Sequence, residues 1–172
     1  MPLDRTKIKK SKGWFIPALR YAWLTIKHRH YVFLAGLRIG VPLWRLLTHD
    51  LSKFGPLELI HYGRQFFGDA SQPDKFAACW IHHQNHNDHH WEYWMPRTKH
   101  DQSPDESKAL PMPYGAMLEM VADWYGASRA YEGKWPESGN WPWFEQNFDN
   151  IIVHPTTRAQ ILEVLHVRSR LS

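Results

Sequence analysis

"HDLSKF", residues 49–54, sets a histidine beside an aspartate where an apolar stretch meets a polar one, with a lysine three residues after the aspartate. It reads as either a metal site or a helix end. Adjacent helical residues point roughly 100° apart. His49 and Asp50 therefore reach one ion only if a helix ends there, or if Asp50 bridges two ions while His49 binds one. Taken alone, Asp50 reads as the cap of a following turn. The flanking segments decide between these readings.

Upstream, residues 14–35 carry apolar positions at spacings of three and four (Phe15, Ala18, Leu19, Ala22, Trp23, Ile26), which predicts a helix. Gly36, Gly40 and Pro42 punctuate "GLRIGVP" and predict a break, followed by a short helix over 42–47. Downstream, "FGP" (54–56) is a turn, and Pro56 suits the first position of a helix over 56–67. Residues 68–74 read as a loop, 75–90 as a helix capped by Asp74, 114–133 and 154–171 as further helices, and 134–144 as turn-rich. Residues 96–113, rich in Pro, Ser, Asp and Lys, read as a long exposed loop. There is no internal repeat and no alternating strand of useful length. The expectation is one all-α domain over residues 1–172, with about five or six helices.

Composition bounds the rest. The 172 residues are 43% hydrophobic and 22% charged, which fits one globular domain. Aromatics reach 15%, including ten tryptophans, whose N–H groups need partners when buried. The net charge of +4 permits an anionic partner, a nucleotide, nucleic acid or phosphorylated metabolite, without demanding one. The basic excess concentrates in an N-terminal arm, residues 1–13. The single cysteine, Cys79, excludes an internal disulfide and a cysteine-based zinc cage, and a reducing cytoplasm fits. No secretory signal is visible. The most apolar stretch, 31–47, contains Arg38, Arg45, two glycines and a proline, so no membrane span is expected.

Five of the twelve histidines fall in "HHQNHNDHH" (82–90). On a helix, His82 and His86 share a face, as do His83, His86 and His90, and neutral imidazoles so spaced can grip one cation. His28 and His30 lie on the helix before His49–Asp50, and Asp123 on the apolar-periodic helix after it. A carboxylate in such a setting needs a partner.

The order His, His-Asp, Asp, all on helices, resembles the HD-domain superfamily of metal-dependent phosphohydrolases. "HDLSK" is similar to the His-Asp-x-x-Lys form of its two-metal branches, and His82–His83 to the extra ligands of those branches. "HDLSKF", "HHQNHNDHHWEYW" and "MVADWYGASRAY" also resemble a little-characterised family of small bacterial and phage proteins of unknown function. The HD resemblance implies His28 (with His30 as second choice), His49, Asp50 and Asp123 as ligands. It implies His82, His83 and His90 for a second metal or the substrate phosphate, and Lys53 to steady a phosphate or the attacking water. Arg129 is a further candidate to stabilise phosphoryl charge. The implied activity is hydrolysis of a phosphate ester, possibly a nucleotide, with one or two divalent cations. Mn, Fe, Co, Ni or Zn suit the ligands better than Mg.

Three other readings compete. HD-type proteins with two irons include oxygenases. Glu58-x-x-His61 and Glu163-x-x-His166 could form a ferritin-like diiron site, although Glu58 could instead support the site around His49. A non-enzymatic module would use Lys7, Lys9, Lys10 and Lys12 with exposed tryptophans to bind nucleic acid.

Overall fold

A 25-residue helix, α1 (Phe15–Ile39), packs against three others: α2 (Leu43–Thr48), α3 (Pro56–Phe67) and α5 (Tyr114–Glu132). α4 (Pro73–His86) lies on α3, and α7 (Pro155–Ser169) on α5. α6 (Pro142–Asn147) and short 3-10 turns at Leu51–Phe54, Trp91–Trp94 and Phe148–Asn150 complete the described elements. The structure, a computed structural model, describes residues 10–96, 108–137 and 140–169, with side chains in α7 followed as far as 165. Among them the fold is all-α, with one isolated bridge between Glu137 and Asn140 as its only β pairing. No described helix is long and apolar enough to cross a membrane.

Three boundaries differ from expectation. Gly36 does not end α1; the helix continues to Ile39 and stops at Gly40, which takes the left-handed conformation at φ 84°. Gly36 serves packing instead, since a Cβ there would lie 2.3 Å from Leu46 Cδ2, and its absence lets α2 fold back on α1. The helix expected over 75–90 ends at His86, with Asn87 extended. The turn-rich segment 134–144 contains the start of α6, so the described residues form seven α-helices where about five or six were expected. α6 is too short to stand on propensity; stacked rings of Trp141, Phe144 and Phe148 hold it.

Of the long loop expected at 96–113, residues 97–107 lie outside the described residues. The remainder is partly interior: Ala109 and Met112 are buried, and Met112 N–H donates to Thr157 Oγ1 at 3.0 Å. Residues 1–9 of the basic arm also lie outside the described residues. Ser11 N–H donates to Phe67 O at 3.0 Å.

The core has two parts. One gathers Val32, Ala35, Leu46, Met117, Val121, Trp141 and Ile161; the other gathers Tyr21, Leu24, Tyr62, Phe67 and Cys79. On α1, His28 is one turn after Leu24 and one before Val32, so it stands where the two meet. The apolar stripes of α3 and α4 end the same way, with Glu58 one turn before Tyr62 and His83 one turn after Cys79.

Candidate metal centre

α2 ends at Thr48, so His49 and Asp50 are not consecutive helical residues. His49 is extended, and Asp50 is left-handed at φ 55°, ψ 22°. Aspartate tolerates this region better than most residues. The reversal turns both side chains into the interior, where His49 is 2% and Asp50 0% exposed.

Asp50 faces two groups, one with each oxygen. Oδ2 lies 3.3 Å from His28 Nε2 and 3.4 Å from His49 Nε2. His28 Nε2 is also 3.0 Å from Asp123 Oδ1 and 3.4 Å from His49 Nε2. Oδ1 lies 3.3 Å from His83 Nε2 and 3.6 Å from His89 Nε2. His90 Nε2 sits 2.9 Å from His83 Nε2. His28, His49 and Asp123 form one set that could hold a metal ion, and Asp50, His83, His89 and His90 form another.

Carboxylates behind the rings set which nitrogen faces inward. Glu58 Oε2 accepts from His83 Nδ1 at 2.9 Å. Glu119 Oε1 accepts from Nδ1 of His49 at 2.9 Å and is 3.3 Å from Nδ1 of His89. A carboxylate only accepts, so these Nδ1 atoms carry the protons and the Nε2 lone pairs point at the centre. Arg45 Nε donates to Glu119 Oε2 at 2.6 Å, and its Nη2 pairs with Asp88, tying α2, α5 and the turn after α4 together. Asn87 Nδ2 donates to Ser52 Oγ and to His83 O, which fixes the end of α4.

The donors fit a cation. Lone pairs facing each other repel unless a proton or cation lies between them. Ligands about 2.1 Å from one ion stand about 3.0–3.4 Å apart in octahedral or tetrahedral geometry; the contacts of His28 Nε2 and the His49 Nε2–Asp50 Oδ2 pair span 3.0–3.4 Å, with Lys53 Nζ also 2.5 Å from Asp50 Oδ2. Asp50 Oδ1 and His89 Nε2 are buried without hydrogen-bond partners. Four carboxylates (Asp50, Glu58, Glu119, Asp123) surround the histidines against two cations, Arg45 and Lys53.

The shifts at His49, His90 and the carboxylates favour ligation, whereas at His28 and His83 burial is outweighed by the neighbouring carboxylates, which raise both above the usual histidine value. Burial pushes His49 below the usual histidine value, and burial with His89 and His83 pushes His90 well below it. Burial opposes the charge on Asp50, but His49, Lys53 and His83 outweigh it and hold the carboxyl well below its ordinary range. Asp123 behaves likewise, with the His28 hydrogen bond overcoming burial. Glu119 is held at about 2, burial again being outweighed by the hydrogen bonds from His49 and His89.

Of the residues expected at the site, His28, His49, Asp50, Lys53, His83, His90 and Asp123 come together. His30 does not; its ring neighbours Tyr31. Two expectations are corrected. His82 turns outward: its Nδ1 bonds Glu58 Oε1 at 2.8 Å and its ring stacks on exposed His86. Arg129 places its guanidinium over the Tyr31 ring, 5.3 Å from the centroid, and does not line the cavity. Glu163 is exposed on α7, unlike the buried carboxylate a ferritin-like site requires, and the side chain of His166 lies outside the described residues. Glu58 instead supports His83.

His89 was not singled out, and Glu119 was not assigned to the HD-type site. Asn87–Asp88 is turn chemistry that could have announced the chain reversal before His89. Glu119 lies four residues before Asp123 on the same helix face, a second acid in an apolar stripe.

The centre opens on a cavity of about 590 Å³ that His28, Lys53, His90 and Asp123 help to line. Fold and site together define an all-α protein whose buried histidines and carboxylates could hold a metal ion. The chain belongs to a family of unknown function (DUF5662), whose model matches residues 18–167. No curated protein and no solved structure matches it.

Proposed function

We propose that the centre would hold two divalent metal ions, with Asp50 serving both histidine sets, and that the protein hydrolyses a phosphate ester. The observation that carries this reading is Asp50 itself: a fully buried carboxylate whose two oxygens face separate histidine sets. The mixed imidazole and carboxylate donors suit Mn, Fe, Co, Ni or Zn. His28, His49 and Asp123 would hold one ion, and His83, His89 and His90 the other. The order His28, His49–Asp50, Asp123 is also the order of the HD-domain phosphohydrolases, which the chain resembles at those residues.

When bound, such ions polarise phosphoryl oxygens and lower the pKa of water. The chain's own residues supply position and charge. Lys53 Nζ lies 2.5 Å from Asp50 Oδ2 and faces the cavity. Burial opposes its charge, but Asp50 outweighs this and holds it well above the usual lysine value, so Lys53 remains an ammonium. It offers hydrogen bonds to a phosphoryl oxygen entering from the cavity. In the reaction, the oxygen of water bonds to phosphorus and the ester P–O bond breaks. The bonding pair goes to the alcohol oxygen, which takes a proton originating from the water.

The test is orthophosphate release from a panel of phosphate esters by protein loaded in turn with Mn, Fe, Co, Ni and Zn. Turnover that disappears in Asp50→Asn is expected. No release from any ester with any of these metals would overturn the reading.

A further inference from the structure

The cavity beside the centre has a marked internal asymmetry. Its volume of about 590 Å³ falls in the range of small-ligand sites. One end is polar, formed by His28, Lys53, His90 and Asp123. Away from that end the wall is largely aromatic, with Tyr62, Phe66, Trp80, Trp91, Trp124 and Trp143 among its residues. Trp80 stands next to the polar end, its ring 5.7 Å from that of His90 and 39% exposed. Trp124 and Trp143 lie 5.8 Å apart, their rings tilted at 51°.

Charge is sparse beyond the polar end. Among the described lining residues, Lys53 is the one lysine or arginine, and it is already paired with Asp50. Glu92 and Glu132 are the acids of the wall. A chain of phosphates extending from the centre would meet no second cation among these residues and would meet carboxyl groups. A planar, uncharged ring would instead find faces to stack on.

We infer that the substrate is a phosphate monoester whose alcohol carries a planar, uncharged aromatic ring, with the phosphate at the His28–Lys53–Asp123 end and the ring among the tryptophans. This inference rests on the phosphohydrolase reading.

Calorimetric titration of the metal-loaded full chain with phenylphosphonate, methylphosphonate and pyrophosphate tests it, because none of the three needs to be turned over. Phenylphosphonate should bind roughly tenfold more tightly than methylphosphonate, the scale of one stacked ring. That gap should shrink in Trp80→Leu and in Trp143→Leu, two variants on different elements, with metal content unchanged. Equal affinity for the two phosphonates, no measurable binding of either, or tighter binding of pyrophosphate would overturn it. A ring preference in binding with no release of orthophosphate from phenyl phosphate would count against hydrolysis and leave ring recognition standing.

Discussion

The Nε2 atoms of His28 and His49 face each other at 3.4 Å in the interior, each ring almost wholly buried. At His49 the far nitrogen is occupied by Glu119. His28 stands on α1 and His49 just after the end of α2, with twenty residues of chain between them, and nothing in local backbone preference draws them together. Burial of two imidazoles around one point costs desolvation, which a shared cation would offset.

That arrangement predicts a metal-dependent stability. A ligand that binds only the folded state at about one hundred times its Kd adds about 2.7 kcal/mol, which for a chain of this size is a rise of roughly 5–10 °C in Tm. Differential scanning calorimetry with Mn or Zn, against chelator-treated protein, should show such a rise. Identical melting of the two preparations would remove the case for a bound ion.

Asp50→Asn and Asp50→Ala should separate charge from backbone. Both remove the carboxylate that faces both histidine sets, and both should lose metal as read by elemental analysis. Asparagine tolerates the left-handed conformation, whereas alanine pays about 1 kcal/mol or more for it, so the alanine variant should unfold at lower urea. Full metal occupancy in both variants would sink the assignment of Asp50.

Glu119→Gln keeps the shape but removes the charge that orients His49 and His89 and pairs with Arg45. Loss of such a supporting carboxylate typically weakens metal binding about 10–100-fold, measurable by competition with a chelating dye. An affinity unchanged within about twofold of the native value would argue against this orienting role.

The metal-free protein should also show a pH signature of Glu119. Its carboxyl sits at about 2 in the fold, against about 4.3 in an unfolded chain. The stabilisation is therefore fully present above about pH 4.5 and is lost as the pH falls toward 2. Urea midpoints should fall more steeply over that window in the native chain than in Glu119→Gln. Parallel curves would show that Glu119 is not held down as described.

Gly126→Ala probes the helix pair that carries the centre. A Cβ at Gly126 would lie 2.7 Å from Val32 N and 2.9 Å from Val32 Cα, backbone atoms that no rotamer change can move. α1 and α5 must separate, at about 1–3 kcal/mol, partly offset by the better helix propensity of alanine. A lower Tm and a weaker metal affinity should appear together, because His28 and Asp123 lie on these two helices. A Tm equal to that of the native chain would contradict the close approach.

Much of the centre was legible in the chain. His28, His83 and Asp123 sit on apolar stripes where a polar residue calls for a partner, and His49–Asp50 marks the end of a short apolar helix. The features that stayed hidden depend on direction. A helix running to residue 90 would align His83, His86 and His90; the stop at Asn87 turns His86 out and brings His89 and His90 back. His82 and His83 are neighbours of equal composition and both bond Glu58, and only the packing of α4 shows that His83 faces Asp50 in the interior while His82 stays at the surface.

By itself, the sequence determined the all-α class, most helix spans and the residue types at the centre, because periodicity and turn chemistry act over a few residues. The tertiary structure alone decided the left-handed turn at Asp50, the reversal at Asn87 and the pairing of Glu58 and Glu119 with their histidines. Each depends on contacts between segments far apart in the chain, where packing and charge compensation override local preference.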